Sequence, residues 1–324
     1  MDNSCRICGN SGNNKLHYGR EMMFGFRDVF PYIECSSCGC LQIQEYPSEI
    51  SKYYPDDYYS YKNIILPADS SFRRWMLHSW VKYALTGEGT LGMLIAAIKP
   101  VPALYRELKK YKVTFDSRIL DVGCGSGQFL ITMYRAGFRN LLGIDPFLPE
   151  DVDYSAGLQI KKMRLQELNG EFDLITLNHS FEHMKEPLAV MDKLYSLLSD
   201  KGVLIIRIPV LGFAWRHYGV NWIQMDPPRH YYLHTLKSIR IIAGKVGFVS
   251  ADTVYDSNEF QFCGSEQYSR DIPFLEAEAS CKPNKLVVTE KDVWRFMIKA
   301  KQLNSSMDGD QASFYFVKHF ESLK

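Results

Sequence analysis

The chain has 324 residues, of which 46% are hydrophobic and 23% charged, and its formal net charge is +1 at pH 7. That length suffices for one large domain or two to three smaller ones around a sizeable core. The near-zero charge excludes a global field that would draw in nucleic acid or an anionic membrane, although a local basic patch would escape this argument. The first ten residues, MDNSCRICGN, carry no basic stretch followed by an apolar run, so no secretory leader is expected. The apolar run Leu91–Ile98 is too short to span a bilayer and is followed by Pro100 and Pro102. The expectation is a cytoplasmic protein without a transmembrane segment.

In chain order, residues 1–45 come first, and five of the eight cysteines lie there. Cys5-Arg-Ile-Cys8-Gly9 and Cys35-Ser-Ser-Cys38-Gly39 are matched knuckles with 26 residues between them. Each C-x-x-C-G turn aims two thiolates at one point, and its glycine lets the backbone close around sulfur. Cys5, Cys8, Cys35 and Cys38 together make a closed tetrahedral set, predicted to bind Zn2+. Iron in the same geometry and four free thiols are the alternatives. Paired spacing of this kind in a reducing compartment favours metal over disulfides.

Residues 46–115 open with a tyrosine-dense stretch, Tyr46 to Tyr61, and continue into helical patterns around Phe72–Leu85 and Leu104–Tyr111. They are expected to form a helical linker or lid. Tyr53, Tyr54, Tyr58 and Tyr59 are candidates for covering a substrate, against the alternative of a packed aromatic surface.

Residues 116–255 alternate strand and helix. Ile119–Val122 reads as a buried strand, Gln128–Ala136 as a helix capped by Gly137, and Leu141–Ile144 and Phe172–Leu177 as further strands. Pro187–Leu198 reads as a helix broken by Gly202, and Val203–Ile208 as a strand. Near-pure apolar strands between helices predict a Rossmann-like, doubly wound α/β domain with a mostly parallel sheet. Residues 256–324 are expected to complete the sheet and supply substrate-side elements.

The turn Asp121-Val122-Gly123-Cys124-Gly125-Ser126-Gly127 lies between a strand and a helix, where open α/β sheets bind nucleotide-like ligands. Its pattern is G-x-G-x-G rather than the dinucleotide G-x-G-x-x-G, and an acid stands two residues before the first glycine. Asp121 would repel a pyrophosphate but suits the ammonium and sulfonium charges of S-adenosylmethionine (SAM). Asp145, which ends the next strand, is placed to accept hydrogen bonds from ribose hydroxyls.

LDVGCGSGQFL (120–130), LGIDP (142–146), FDLITLNHSFEHMKEP (172–187) and LLSDKGVLIIRIPV (197–210) together resemble the ordered motifs of class I SAM-dependent methyltransferases. The resemblance implies that Asp121, Gly123, Cys124, Gly125 and Gly127 line the methionine end, with Cys124 as a small packing residue. It also implies that Asp145 holds the ribose, Gln166 lies near the adenine and Asn178 stands beside the ligand. Gln166 departs from the family, which often has Asp there. With the cysteine module, and with Pro227–His234 and Gly264–Tyr268, the chain resembles bacterial sugar methyltransferases, including those acting on nucleotide-linked keto-sugars. That resemblance implies a small-molecule sugar or nucleotide-sugar acceptor.

Methyl transfer needs an aligned nucleophile and a proton acceptor. The candidates are His230 and His179, with Glu182 as an orienting or acting group and His183 as a residue that orders the cofactor loop. Each histidine also has a bland reading: His234, for example, precedes Thr235, a helix N-cap signal. An RNA methyltransferase with the cysteine module as reader is the second hypothesis. Against it, residues 1–45 hold no dense basic cluster. A SAM-binding module without catalysis is the third.

Overall fold

The computed structural model describes residues 3–54, 70–155, 157–275 and 287–319. Tyr58 and Tyr59 of the expected lid lie outside these residues. Three short strands come first: β1 (Lys15–Arg20), β2 (Val29–Glu34) and β3 (Leu41–Ile43). Three helices follow: α1 (Ser71–Thr86), α2 (Thr90–Ile98) and α3 (Ala103–Lys110). Then come β4 (Ile119–Val122), α4 (Gln128–Ala136), β5 (Leu141–Ile144), β6 (Val152–Ser155), β7 (Leu158–Lys161), β8 (Phe172–Asn178), α5 (Pro187–Leu197) and β9 (Leu198–Pro209). The remainder is α6 (Phe213–Tyr218), β10 (Tyr232–Leu233), α7 (Leu236–Lys245), β11 (Val249–Tyr255), α8 (Phe260–Ser269), α9 (Glu290–Ser305) and β12 (Gln311–Val317).

The large sheet has the order β11-β12-β9-β8-β4-β5-β7-β6. Strands β9, β8, β4, β5 and β7 are mutually parallel, while β12 runs antiparallel between β11 and β9, and β6 closes the other edge antiparallel. Alternate residues of the central strands serve two separate cores, as a strand covered on both faces requires. Leu120, Ile175, Leu204 and Phe314 face one core; Ile119, Leu174, Val203 and Tyr315 face the other. The first core also takes in Cys5, Ile7, Cys35, Leu41 and Ile43, so the N-terminal region packs continuously with one face of the sheet. The second holds residues of α1, α3 and α4.

The helix over 187–198 ends at Leu197, and the strand begins at once, running through Gly202. The sequence placed the break at Gly202. Pairing of Leu198 with Phe172 across the ladder draws the chain into the sheet earlier than its apolar spacing indicates. The run Leu91–Ile98 lies within α2, and among the described residues no helix is long and apolar enough to cross a membrane.

A second, antiparallel sheet has the order β1-β2-β3-β10. Its last strand comes from the segment after β9: Tyr232 pairs with Gln42 and Leu233 with Leu41. Thr235 then caps α7, accepting from Ser238 N while Ser238 Oγ accepts from Thr235 N at 2.9 Å. A cap of this kind stabilises a helix by about 1 kcal/mol.

Candidate active site and metal centre

β4 runs out at Val122 and the backbone turns through Gly123 (φ 71°) and Gly127 (φ 84°) into α4. A side chain at 123 would meet Ser180 Cβ at 2.5 Å, so this left-handed, crowded position needs glycine. Asp145 follows β5, with Oδ2 accepting from Gly125 N at 3.0 Å and Oδ1 from Phe147 N at 2.9 Å. The buried Asp121 accepts from Thr176 Oγ1 at 2.6 Å and Asn178 Nδ2 at 3.2 Å. Burial pushes both carboxyls up, that of Asp121 to about 7. Among the described residues no cationic side chain pairs with Asp121. Asp121, Gly123, Gly125, Gly127, Asp145 and Asn178 thus gather at the carboxyl ends of β4, β5 and β8. The sulfur of Cys124 sits where a side chain at Gly143 would go, and Gln166 is exposed on a short turn, Leu165–Glu167.

Beside this turn, β8 leads into the Asn178–His183 segment. His179 has φ 51°, a left-handed conformation that few non-glycine residues adopt. Glu182 is fully buried, and neither carboxylate oxygen receives a hydrogen bond of good geometry among the described residues. Three rings surround it. His179 Nδ1 lies 3.4 Å from Oε1 and His230 Nε2 4.0 Å from it, and the His183 ring packs at 4.8 Å centroid distance against His230. Burial would raise the Glu182 carboxyl, but these rings outweigh it and hold it down.

The rings are fixed from behind. His183 Nδ1 meets Arg229 O at 2.8 Å and His230 Nδ1 meets Gln224 O at 2.7 Å. Since a carbonyl only accepts, both Nδ1 atoms carry the proton and both Nε2 atoms hold a lone pair. Arg207 Nη1 donates to His179 Nε2 at 2.9 Å, and Arg207 Nε donates to Asp256 at 2.6 Å. His230 is only 6% exposed, and burial pushes its pKa down to about 4; His179 and His183 stand partly open.

The cysteine knuckles close as their spacing requires: Gly9 N donates to Cys5 O at 2.8 Å and Gly39 N to Cys35 O at 2.9 Å. The Sγ atoms of Cys5, Cys8, Cys35 and Cys38 all lie within 4.8 Å of one another, with Cys5–Cys38 at 3.6 Å and Cys8–Cys35 at 3.5 Å. A tetrahedral ion with Zn–S bonds of about 2.3 Å separates its sulfurs by about 3.8 Å, so this donor set fits such an ion. α7 braces the knuckle: Thr235 Oγ1 donates to Cys38 O at 2.7 Å and Lys245 Nζ to Ile7 O at 2.6 Å.

Residues 94–251 match the family described as a methyltransferase domain. That span forms a methyltransferase domain. EEF1A lysine methyltransferase 2 of Mus musculus is 32% identical over 93 residues, 29% of this chain and 35% of its own length. The ubiquinone biosynthesis O-methyltransferase of Xanthomonas campestris is 28% identical over 143 residues, 39% of this chain and 59% of its own. The chain therefore spans about a third to three fifths of these curated relatives. A solved S-adenosylmethionine dependent methyltransferase from Mesorhizobium loti aligns over 66% of this chain and 97% of that one, at 14% identity and a TM-score of 0.40.

Every cofactor-binding candidate, and Glu182 with its three histidines, falls inside the methyltransferase domain, whereas the four cysteines lie outside it. Two participants escaped the sequence reading, Arg207 and Asp256. Arg207 was visible as the one charge in the run Val203-Leu204-Ile205-Ile206-Arg207-Ile208, at the carboxyl end of a buried strand. Glu21 also escaped it. Glu21 accepts from Met23 N, Phe24 N and Phe26 N and forms a fully buried ion pair with Arg229 at 3.0 Å.

Proposed function

We propose that the protein transfers a methyl group from SAM to a sugar or nucleotide-linked sugar, and that its four cysteines hold one structural zinc ion. The observation that carries the cofactor assignment is Asp121, a buried carboxylate at the head of the glycine turn that has hydrogen-bond donors but no cationic partner among the described residues. Burial without a counter-charge lifts this carboxyl to about 7, and the ammonium and sulfonium of SAM would supply the charge that keeps it ionised. Bound there, SAM provides an electrophilic methyl on a sulfur that leaves as a neutral thioether.

The chain's own residues do the rest. The glycine turn admits the methionine end at close approach, and Asn178 orients Asp121. Each Asp145 oxygen spends one lone pair on a backbone N–H and retains another for a ribose hydroxyl. The acceptor's proton is lost beside the Glu182–His183–His230 cluster, whose Nε2 atoms are held unprotonated by the carbonyls behind the rings. His179, gripped by Arg207, orients Glu182.

Support for the sugar acceptor comes from the likeness of Pro227–His234 and Gly264–Tyr268 to the sugar enzymes. In the fold these stretches are joined through Ile223, whose N donates to Ser265 Oγ at 3.0 Å, four residues before the turn that opens the first stretch. The protein-lysine and ubiquinone activities belong to relatives that match 29% and 39% of this chain. Methyl-labelled SAM offered with a panel of nucleotide-sugars tests the reading. Transfer to a sugar is the expected outcome; label appearing only on protein, quinone precursor or RNA overturns the acceptor assignment. His230→Asn is expected to lower turnover about 100-fold with SAM affinity unchanged.

A further inference from the structure

We propose that Glu182, His183 and His230 bind a divalent first-row transition-metal ion, distinct from the ion of the cysteine knuckles, and that the acceptor's hydroxyl oxygen completes its coordination. This inference rests on the methyltransferase reading above and specifies how the acceptor is acidified. One oxygen of Glu182 and one nitrogen each of His183 and His230 all lie within 4.8 Å of one another. Metal–ligand bonds of about 2.1 Å hold ligands up to about 4.2 Å apart, so modest ring rotation closes the set.

Three independent features point the same way. First, both histidines donate Nδ1–H to a backbone carbonyl, at 2.8 Å and 2.7 Å, the arrangement that fixes Nε2 as a ligand in metal-binding histidines. Second, the Glu182 carboxylate is fully buried, and its nearest polar partner is His179 Nδ1, 3.4 Å from Oε1, while donors such as Tyr231 N bond to its backbone carbonyl instead. A buried charge left in this state calls for a cation. Third, the neighbours that would compete are committed elsewhere. Asp226 is taken by Arg229, and His179 offers only Nδ1–H because Arg207 occupies its Nε2.

Two imidazoles and one carboxylate suit zinc, iron(II), cobalt(II) or manganese(II) rather than magnesium or calcium, and three protein ligands leave a position open. The cluster borders the expected cofactor site through His183. There Tyr54 Oη lies 3.3 Å from His183 Nδ1, and Tyr54 stacks on Phe147, next but one to the ribose candidate Asp145. Bound there, the ion would acidify the acceptor's hydroxyl, whose proton would leave to solvent. The oxygen pair then forms the new O–C bond, and the electrons of the breaking C–S bond remain on sulfur.

Cobalt(II) is the probe. Full-length protein is stripped with a mild chelator that leaves the cysteine site loaded, and is then titrated with cobalt(II) while metal content, absorption and methyl transfer are followed. The expected result is a second metal equivalent without thiolate charge-transfer absorption, and turnover that falls at least tenfold on stripping and returns with the metal. Glu182→Gln should lose that equivalent while keeping the first. If Glu182→Gln does not fold, His183→Asn, whose ring is partly exposed, should do the same. Only one equivalent in the wild type, or a second one bound unchanged in the variant, overturns the proposal. SAM binding by calorimetry on the stripped protein separates the two readings. SAM bound without a second metal leaves the methyltransferase standing, and no SAM binding removes it.

Discussion

The chain gathers candidate metal ligands twice, and the two clusters are built on opposite plans. Cys5, Cys8, Cys35 and Cys38 come from two tight turns, each closed by its own backbone hydrogen bond, and bring four protein sulfurs within 4.8 Å of one another. Glu182, His183 and His230 come from two loops at the carboxyl side of the large sheet and supply three donors rather than four. A closed set can only hold structure together, whereas a set with a vacancy can hold a reactant. Geometry also makes the second depend on the first. His230 immediately precedes the residues that pair with β3, and Ile43 N donates to Tyr231 O at 2.9 Å.

The most direct way to break this dependence is Cys35→Ser. Zinc binding in small modules is worth about 10 kcal/mol or more and is coupled to their folding. The variant should therefore lose its zinc, unfold β1–β3 and lower turnover by at least about 100-fold, as followed by metal analysis and assay. Full turnover without zinc would uncouple the two regions. Next in size is Arg229→Met, which strands the fully buried carboxylate of Glu21 and the half-buried one of Asp226. Removing one partner of a buried pair costs about 3–5 kcal/mol, to be read from urea unfolding at unchanged zinc content.

Asp145→Ala should weaken SAM binding about tenfold or more, because a charge-assisted hydrogen bond contributes about 1.5–3 kcal/mol. Calorimetry that finds unchanged affinity would remove Asp145 from the site. The smallest effect concerns pH. With the Asp121 carboxyl raised to about 7 by burial, the unliganded fold binds a proton that the unfolded chain releases near pH 4. Stability from this group is therefore lost as pH rises from about 4 to about 7. A cationic ligand needs the carboxylate, so SAM affinity should rise with pH up to about 7, by at most about tenfold per unit, and then level off. Asp121→Asn should flatten that profile.

The glycine turn, its two acids and the cysteine knuckles were legible because each is a local pattern whose spacing is its geometry. The alternating sheet was legible for a similar reason, since Val203–Ile208 and its neighbours are apolar on both faces. The partnerships of the histidines were not. His230, expected to face the acceptor, turns its free nitrogen to Glu182 and Asp226, at 4.0 Å and 3.8 Å. His179 is set by Arg207 and Asp256, two positions far apart in the chain. Pairings such as Glu21 with Arg229, or Leu41 with Leu233, join segments about two hundred residues apart and leave no periodicity in either one. The end of α5 was misplaced for the same reason, because the ladder partner at Phe172 decides it.

The pairing of β3 with β10 also has a consequence in time. The edge of β3 is synthesised early, but its partner at Tyr232 lies 189 residues beyond Ile43. At about 5–20 residues per second, the ribosome takes roughly 10–40 s to cover that distance. During that interval the nascent N-terminal sheet carries an unpaired edge, a template for any other extended chain. The partners in its short strand are Gln42 and Leu41, so little charge guards it. Production yield should therefore depend on how fast the ribosome delivers Tyr232 and Leu233, and slowing translation between residues 44 and 231 should send more chains into aggregates than the same slowing after residue 234.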